Sequence, residues 1–146
     1  MIILQCKKLT DTAKMPSKAH NEDAAYDVYA DTPDNEILLS PGQTRIIPTG
    51  MAIMPPPGWS CDIRGRSGMS SKGKLVSLGL VDAYYTGPWG IIMFNSTHET
   101  ISIKHHDKIA QFTVNRVNES AIQLVEQFDT PANARGEGGF GSTGTK

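Results

Sequence analysis

Only two cysteines occur in the 146 residues, Cys6 and Cys61, and neither has a second Cys or a His at metal-ligand spacing. That scarcity argues against a disulfide framework and a cysteine-based zinc site, and both residues are expected as reduced thiols. Long apolar runs are missing too: none approaches the roughly 18 residues of a membrane-crossing helix, and the segment 1–6 is too short for a signal peptide. The expected location is therefore cytoplasmic, in the host cytoplasm if the chain is phage-encoded. Charge of one sign is equally lacking. Fourteen Lys plus Arg against 15 Asp plus Glu leave a net charge of -1, which offers no footprint for duplex nucleic acid or an anionic membrane. An anionic ligand would have to be held by local groups. The length fits one domain with one core.

What is abundant is punctuation. Fourteen Gly and nine Pro separate short apolar and β-branched runs, the pattern of many short strands. Strands are expected over residues 2–5, 25–29, 37–39, 44–47, 51–54, 59–63, 75–78, 89–94, 100–103, 109–114 and 122–126. So many in so short a chain imply an all-β barrel or sandwich. Pro55-Pro56-Pro57-Gly58 marks a loop. Only residues 68–72 suit a helical turn.

Four segments carry candidate chemistry. The tail, from Arg135 through Phe140, Gly141, Ser142 and Thr143 to Gly144, strings glycines between an Arg, an aromatic ring and two hydroxyls. Such a tail is either disordered or folds over an anionic ligand, with Arg forking onto phosphate and Phe stacking on a base. The loop Arg64-Gly65-Arg66-Ser67-Gly68 places cations, a hydroxyl and amides at a helix start. It reads as a phosphate cradle or as a solvated basic turn capped by Ser67. The apolar run 75–81 ends in Asp82, followed by Tyr84 and Tyr85. Asp82 is placed to orient or deprotonate water beside a phosphate, or merely to form a turn. Asp27, between Tyr26 and Val28, poses the same choice between site and structure.

Taken in order, these segments resemble the five motifs of the trimeric dUTPase family. Residues 24–30 are similar to the first motif, Arg66-Ser67-Gly68 to the second, 79–87 to the third, Asp107-Lys108-Ile109-Ala110-Gln111 to the fourth, and 135–144 to the fifth. Leu39-Ser40-Pro41-Gly42, Ile47-Pro48-Thr49-Gly50-Met51 and Pro57-Gly58-Trp59 are similar to the family's strand-turn signatures. The resemblance runs through nearly the whole chain, and five ordered motifs are far more specific than any one.

The resemblance implies a jelly-roll-like β barrel over residues 1–134, a C-terminal arm over 135–146, and a homotrimer whose three sites each draw on all three subunits. It implies Mg²⁺-assisted hydrolysis of dUTP to dUMP and pyrophosphate, which keeps uracil out of DNA and supplies dUMP. Asp82 would activate water, and Asp27 would order metal-bound waters without touching the metal. Ser67, Gly68 and Gln111 would contact the phosphates, with Arg66 in support. The third motif, taken as a β-hairpin, would read the uracil edge at Gly79 and Ser77, and Tyr85 would pack on the deoxyribose and exclude a 2′-hydroxyl. Phe140 would stack on uracil, while Arg135, Gly141, Ser142 and Thr143 belong to the arm that closes over the γ-phosphate.

The sequence departs from the family pattern at Tyr84, where an acid is usual, at His106 in place of Gly, and at Gly65 in place of Pro. His105 and His106 should alternate faces in a strand, which disfavours a shared metal. Two rivals remain: a dCTP deaminase-like enzyme of the same fold, and a nucleotide-switched binding protein with a regulatory partner.

Overall fold

The computed structural model describes residues 1–134 and 136, so Arg135 and the arm residues Phe140, Gly141, Ser142 and Thr143 lie outside the described residues. Among the described residues the short runs pair into eleven strands: β1 (Gln5–Lys8), β2 (Tyr26–Tyr29), β3 (Ile37–Leu39), β4 (Thr44–Pro48), β5 (Met51–Met54), β6 (Trp59–Arg64), β7 (Lys74–Val76), β8 (Gly79–Val81), β9 (Gly90–Asn95), β10 (Ile101–Ile103) and β11 (Lys108–Arg116). One helical turn, α1 (Ser67–Ser70), follows β6. All pairings are antiparallel. The larger sheets run β2-β11-β6-β8 and β4-β9-β7, and β1-β5 and β10-β3 form two-stranded ones. The fold is all-β and jelly-roll-like, as expected.

Alternation decides what each strand buries. In β9, Ile91, Met93 and Asn95 are buried while Ile92 and Phe94 are exposed. The register Tyr26↔Phe112↔Ile63 turns three apolar side chains inward together. These residues share one core with Cys61 of β6 and with Leu39, Ile47 and Ile53 of β3, β4 and β5. Phe112 is its centre, stacked on Tyr26 at 5.3 Å and meeting Trp89 edge-on at 5.0 Å. One glycine is dictated by geometry. Gly50 has φ +63°, and a Cβ there would strike the side chains of Asp31 and Thr10.

Four expectations change. The first strand lies at Gln5–Lys8 rather than 2–5, because its partner β5 sets Gln5 opposite Met54 and Lys8 opposite Met51. The run 75–78 is cut in two: Ser77 N–H donates to Ile92 O at 3.0 Å, after which the chain crosses to the other sheet as β8. Residues 122–126 form no strand, since they lack a partner to pair with in the described chain, and Ile122 and Leu124 stand fully exposed. His105 and His106 do not alternate along a strand. They occupy a turn, where His106 has φ +65° and the rings lie 3.7 Å apart.

Candidate functional site

The same alternation that buries Phe112 presents polar side chains on the opposite face. Asp27 lies opposite Gln111, and Gln111 opposite Arg64, so three chemically active residues line up across three strands. A β-bulge between Lys108 and Ala110 interrupts the pattern in β11. It lets Ile109 and Ala110 both enter the core and turns Lys108 onto the Asp27 face. The carboxylate of Asp27 is gripped on both oxygens: Arg66 Nε is 3.0 Å from Oδ1 and Lys108 Nζ is 2.7 Å from Oδ2. The hydrogen bond and charge of Asp27 push the Lys108 ammonium above its ordinary range, so it is a cation throughout the neutral region.

Gln111 fixes the neighbouring loop by donating from Nε2 to Gly65 O at 2.8 Å. That bond sets the entry into α1, whose N-cap is Arg66 and not Ser67. No hydrogen bond among the described residues engages the Ser67 hydroxyl, so the reading of Ser67 as a cap does not hold. A four-residue turn has almost no macrodipole, yet its first amides, those of Ser67 and Gly68, have no carbonyl one turn earlier to bond. Asp27, Arg66, Ser67, Gly68, Lys108 and Gln111 thus line one cleft of about 460 Å³, in which Arg and Lys outnumber Asp. A cleft with free amides, a hydroxyl and surplus cations is chemically suited to a polyphosphate.

A second cleft, of about 270 Å³, is lined by Gly79, Val81, Asp82, Tyr85 and Trp89. Asp82 is exposed at the end of β8. Its carbonyl accepts from Tyr85 N–H at 3.2 Å, and Tyr85 Oη donates to Pro88 O at 3.3 Å, which holds the ring over the cleft. Tyr84 bends the turn with φ +65° and donates its N–H to Pro55 O at 3.2 Å. This segment is not the expected hairpin. β8 pairs with β6, whereas β9 belongs to the other sheet. Ser77 is hydrogen-bonded to β9 and does not line this cleft.

Asp82 and Arg66 lie toward opposite ends of one strand. β8 sets Gly79 opposite Ile63 and Val81 opposite Cys61, so Asp82 continues past the Cys61 end while Arg66 follows the Arg64 end. The step from Cys61 to Arg64 alone spans about 10 Å at the usual rise per residue. Within one chain, Asp82 is therefore too far from the Asp27 cleft to act on a phosphate held there.

The dUTPase family profile matches residues 11–144. The chain belongs to the dUTPase family. Curated relatives named deoxyuridine 5'-triphosphate nucleotidohydrolase include one from Syntrophotalea carbinolica, 35% identical over 146 residues and covering 98% of this chain and 97% of the relative. Another, from Clostridioides difficile, is 36% identical over 147 residues, with 99% of each covered. Among solved structures, the dUTPase of Staphylococcus bacteriophage 80alpha with dUpNHpp superposes with a TM-score of 0.89 at 28% identity, over 99% of both chains. A mutant dUTPase from phage phi11 of S. aureus, solved with a structural Mg(II) ion, gives a TM-score of 0.80 at 26% identity, covering 88% of this chain and 100% of that one.

Against that family background, the donor set bears on Mg²⁺. No cluster of three or more His, Cys, Asp or Glu side chains able to hold a metal occurs among the described residues, and Asp27 is the carboxylate nearest the cationic loop. A hydrated Mg²⁺ bound mainly by phosphate oxygens fits this set, because that ion keeps its waters and asks for one or two carboxylates at most. Sequence reasoning missed Lys108 as a cleft residue. Its position in the fourth motif was visible, but the bulge that re-aims it was not. No helix among the described residues is long and apolar enough to cross a membrane.

Proposed function

We propose that this chain hydrolyses dUTP to dUMP and pyrophosphate in the cytoplasm, as a homotrimer in which each site joins the Asp27 cleft of one copy to the Asp82 cleft of a second. The observation that carries this reading is the placement of Asp82 and the Asp27 cleft toward opposite ends of β6. Neighbouring copies reunite what one chain keeps apart. An outward apolar sheet face supports assembly: Ile46, Ile92, Phe94 and Leu75 are exposed on paired strands. Exposed Ile122, Leu124 and Phe128 beyond β11 add to it.

In this reading the barrel comprises residues 1–134 and the arm 135–146. Ser67, Gly68 and Gln111 contact the phosphate chain, and Arg66 supports them from its ion pair with Asp27. Bound Mg²⁺ would neutralise charge on the triphosphate and on the pyrophosphate leaving group. Asp27 would orient waters around that ion. Asp82 accepts a proton from the water that attacks the α-phosphorus in line. Gly79 lies in the pocket that takes uracil, and Ser77, outside the cleft of its own chain, is a weaker contact to the base edge. The Tyr85 ring packs on the deoxyribose and leaves no room for a 2′-hydroxyl. Phe140 stacks on the base, while Arg135, Gly141, Ser142 and Thr143 enclose the γ-phosphate when the arm closes, excluding bulk water.

The test is pyrophosphate release from dUTP, dTTP, dCTP and UTP, each with Mg²⁺ and with a chelator. Rapid release from dUTP alone, dependent on Mg²⁺, is expected. Ammonia release from dCTP without dUTP cleavage would replace this reading by a deaminase. A regulatory role beside catalysis is favoured by the likeness to phage 80alpha dUTPase, described as controlling transfer of virulence genes by a G protein-like mechanism. Asp82→Asn separates the two: turnover should vanish while nucleotide binding, and any binding of a protein partner, persists.

A further inference from the structure

Lys108 has no part in the mechanism above, yet the fold goes to some length to place it. Regular alternation counted from Gln111 would turn Lys108 toward the core, and the bulge between Lys108 and Ala110 turns it to the cleft instead. Its ammonium then lies 2.7 Å from Asp27 Oδ2, with Arg66 Nε 3.0 Å from Oδ1. Both oxygens of the carboxylate assigned to a metal hydrate are thus already paired to cations. The partners differ in setting and chemistry more than in exposure, with side chains 33% and 40% exposed: Arg66 is the N-cap of α1, next to a loop fixed by Gln111, whereas Lys108 sits at the start of β11. A compact ammonium on a flexible stem changes partners without realigning a planar fork, which a guanidinium cannot do.

We propose that Lys108 is an exchange cation: it neutralises Asp27 while the cleft is empty and moves onto the triphosphate when Mg²⁺-nucleotide brings a metal hydrate to Asp27. This inference rests on the reading of the cleft as the phosphate site of dUTP. A divalent ion and an ammonium on one carboxylate repel each other, and the newly arrived phosphates give the displaced charge a partner of the same chemistry. Lys108 and Mg²⁺ then compete for Asp27 and share the task of neutralising phosphate, so each reduces the benefit of the other.

The experiment measures the affinity of dUpNHpp by calorimetry, in MgCl₂ and in EDTA, for the unaltered protein, Lys108→Met and Lys108→Arg. The quantity read is the ratio of Kd in EDTA to Kd in MgCl₂. Lys108→Met frees Asp27 and removes a phosphate contact that matters most without metal, so its ratio should rise by about fivefold, a typical coupling between neighbouring charges. Lys108→Arg holds Asp27 with a fork and should lower the ratio. Equal ratios in all three proteins would overturn the proposal and leave Lys108 as a surface ion pair. If Lys108→Met does not fold, the direction of change in Lys108→Arg decides alone. Failure of the unaltered protein to bind dUpNHpp in either buffer would instead refute the reading of the site itself.

Discussion

Separation of Asp82 from the Asp27 cleft along β6 makes a prediction that can be worked through with mixed chains. In the proposed site, Asp82→Asn removes the proton acceptor at one end, and Arg66→Ala removes a phosphate-side cation at the other. The first should cost about 10²- to 10⁴-fold in kcat, the usual contribution of a general base. The second should cost about tenfold or more, since a charge-assisted bond is lost and Asp27 keeps only Lys108. Asp82→Asn alone is therefore nearly inactive, and Arg66→Ala alone keeps at most about a tenth of the activity. Suppose the two are unfolded together in equal amounts and refolded as closed rings. A site is whole when an Asp82→Asn chain supplies the phosphate cleft and its neighbour, carrying Arg66→Ala, supplies Asp82. Each condition holds half the time, so about a quarter of the sites recover. Pyrophosphate release per chain should then be about 25% of the unaltered value, at least about twice that of either parent. A control sharpens the reasoning. With the double variant diluted equally into unaltered chains, shared sites again leave about a quarter of full activity, whereas sites within one chain leave about half. No recovery in the first mixture together with half activity in the second would refute the shared site, and with it the inference drawn from β6.

Other expectations follow from packing and charge. Phe112→Ala removes the ring held between Tyr26 and Trp89 in the core and should destabilise the fold by about 3–5 kcal/mol, read from urea denaturation. Burial works to raise the Asp31 carboxyl, but the hydroxyls of Thr10 and Thr12 and the nearby His105 and His106 hold it below its ordinary value. The stabilisation it supplies is therefore present above the unfolded carboxylate range and is lost as pH falls through its folded value. Asp31→Asn should be less stable at neutral pH but show a flatter stability profile below about pH 4. Burial, and then the charge of Asp62, push the Cys61 thiol up to about 11, so iodoacetamide at pH 8 should leave it unmodified until the protein is unfolded.

The parts of this structure legible in the sequence were those set by neighbours along the chain. Ile91, Met93 and Asn95 alternate with Ile92 and Phe94, and Pro55-Pro56-Pro57-Gly58 can only be a loop, so strand and turn emerged together. Pairing was harder to read. The segment 122–126 has strand composition but no partner within the described chain, and β1 slid to Gln5–Lys8 because β5 dictates its register. In the candidate site, Arg66, Ser67, Gly68 and Asp82 stood out by residue type and Gln111 by its resemblance to the fourth motif, and the structure gathers all but Asp82 around Asp27. Lys108 was not legible as a member, because its direction depends on one extra residue in β11, which no local pattern reveals. The expected hairpin after Gly79 failed for a related reason: β8 and β9 are close in sequence but are claimed by different sheets.

The outward face of Ile46, Ile92, Phe94 and Leu75 also bears on the history of each chain after synthesis. In the proposed trimer that face is covered, whereas a lone folded chain shows water a surface with the character of an interior. Mass action then governs how long that state lasts, so the chain's resistance to unfolding should rise with its own concentration. Because the attraction is hydrophobic, it should also weaken as the solution is cooled. A protein of this kind is most vulnerable when it is dilute and cold.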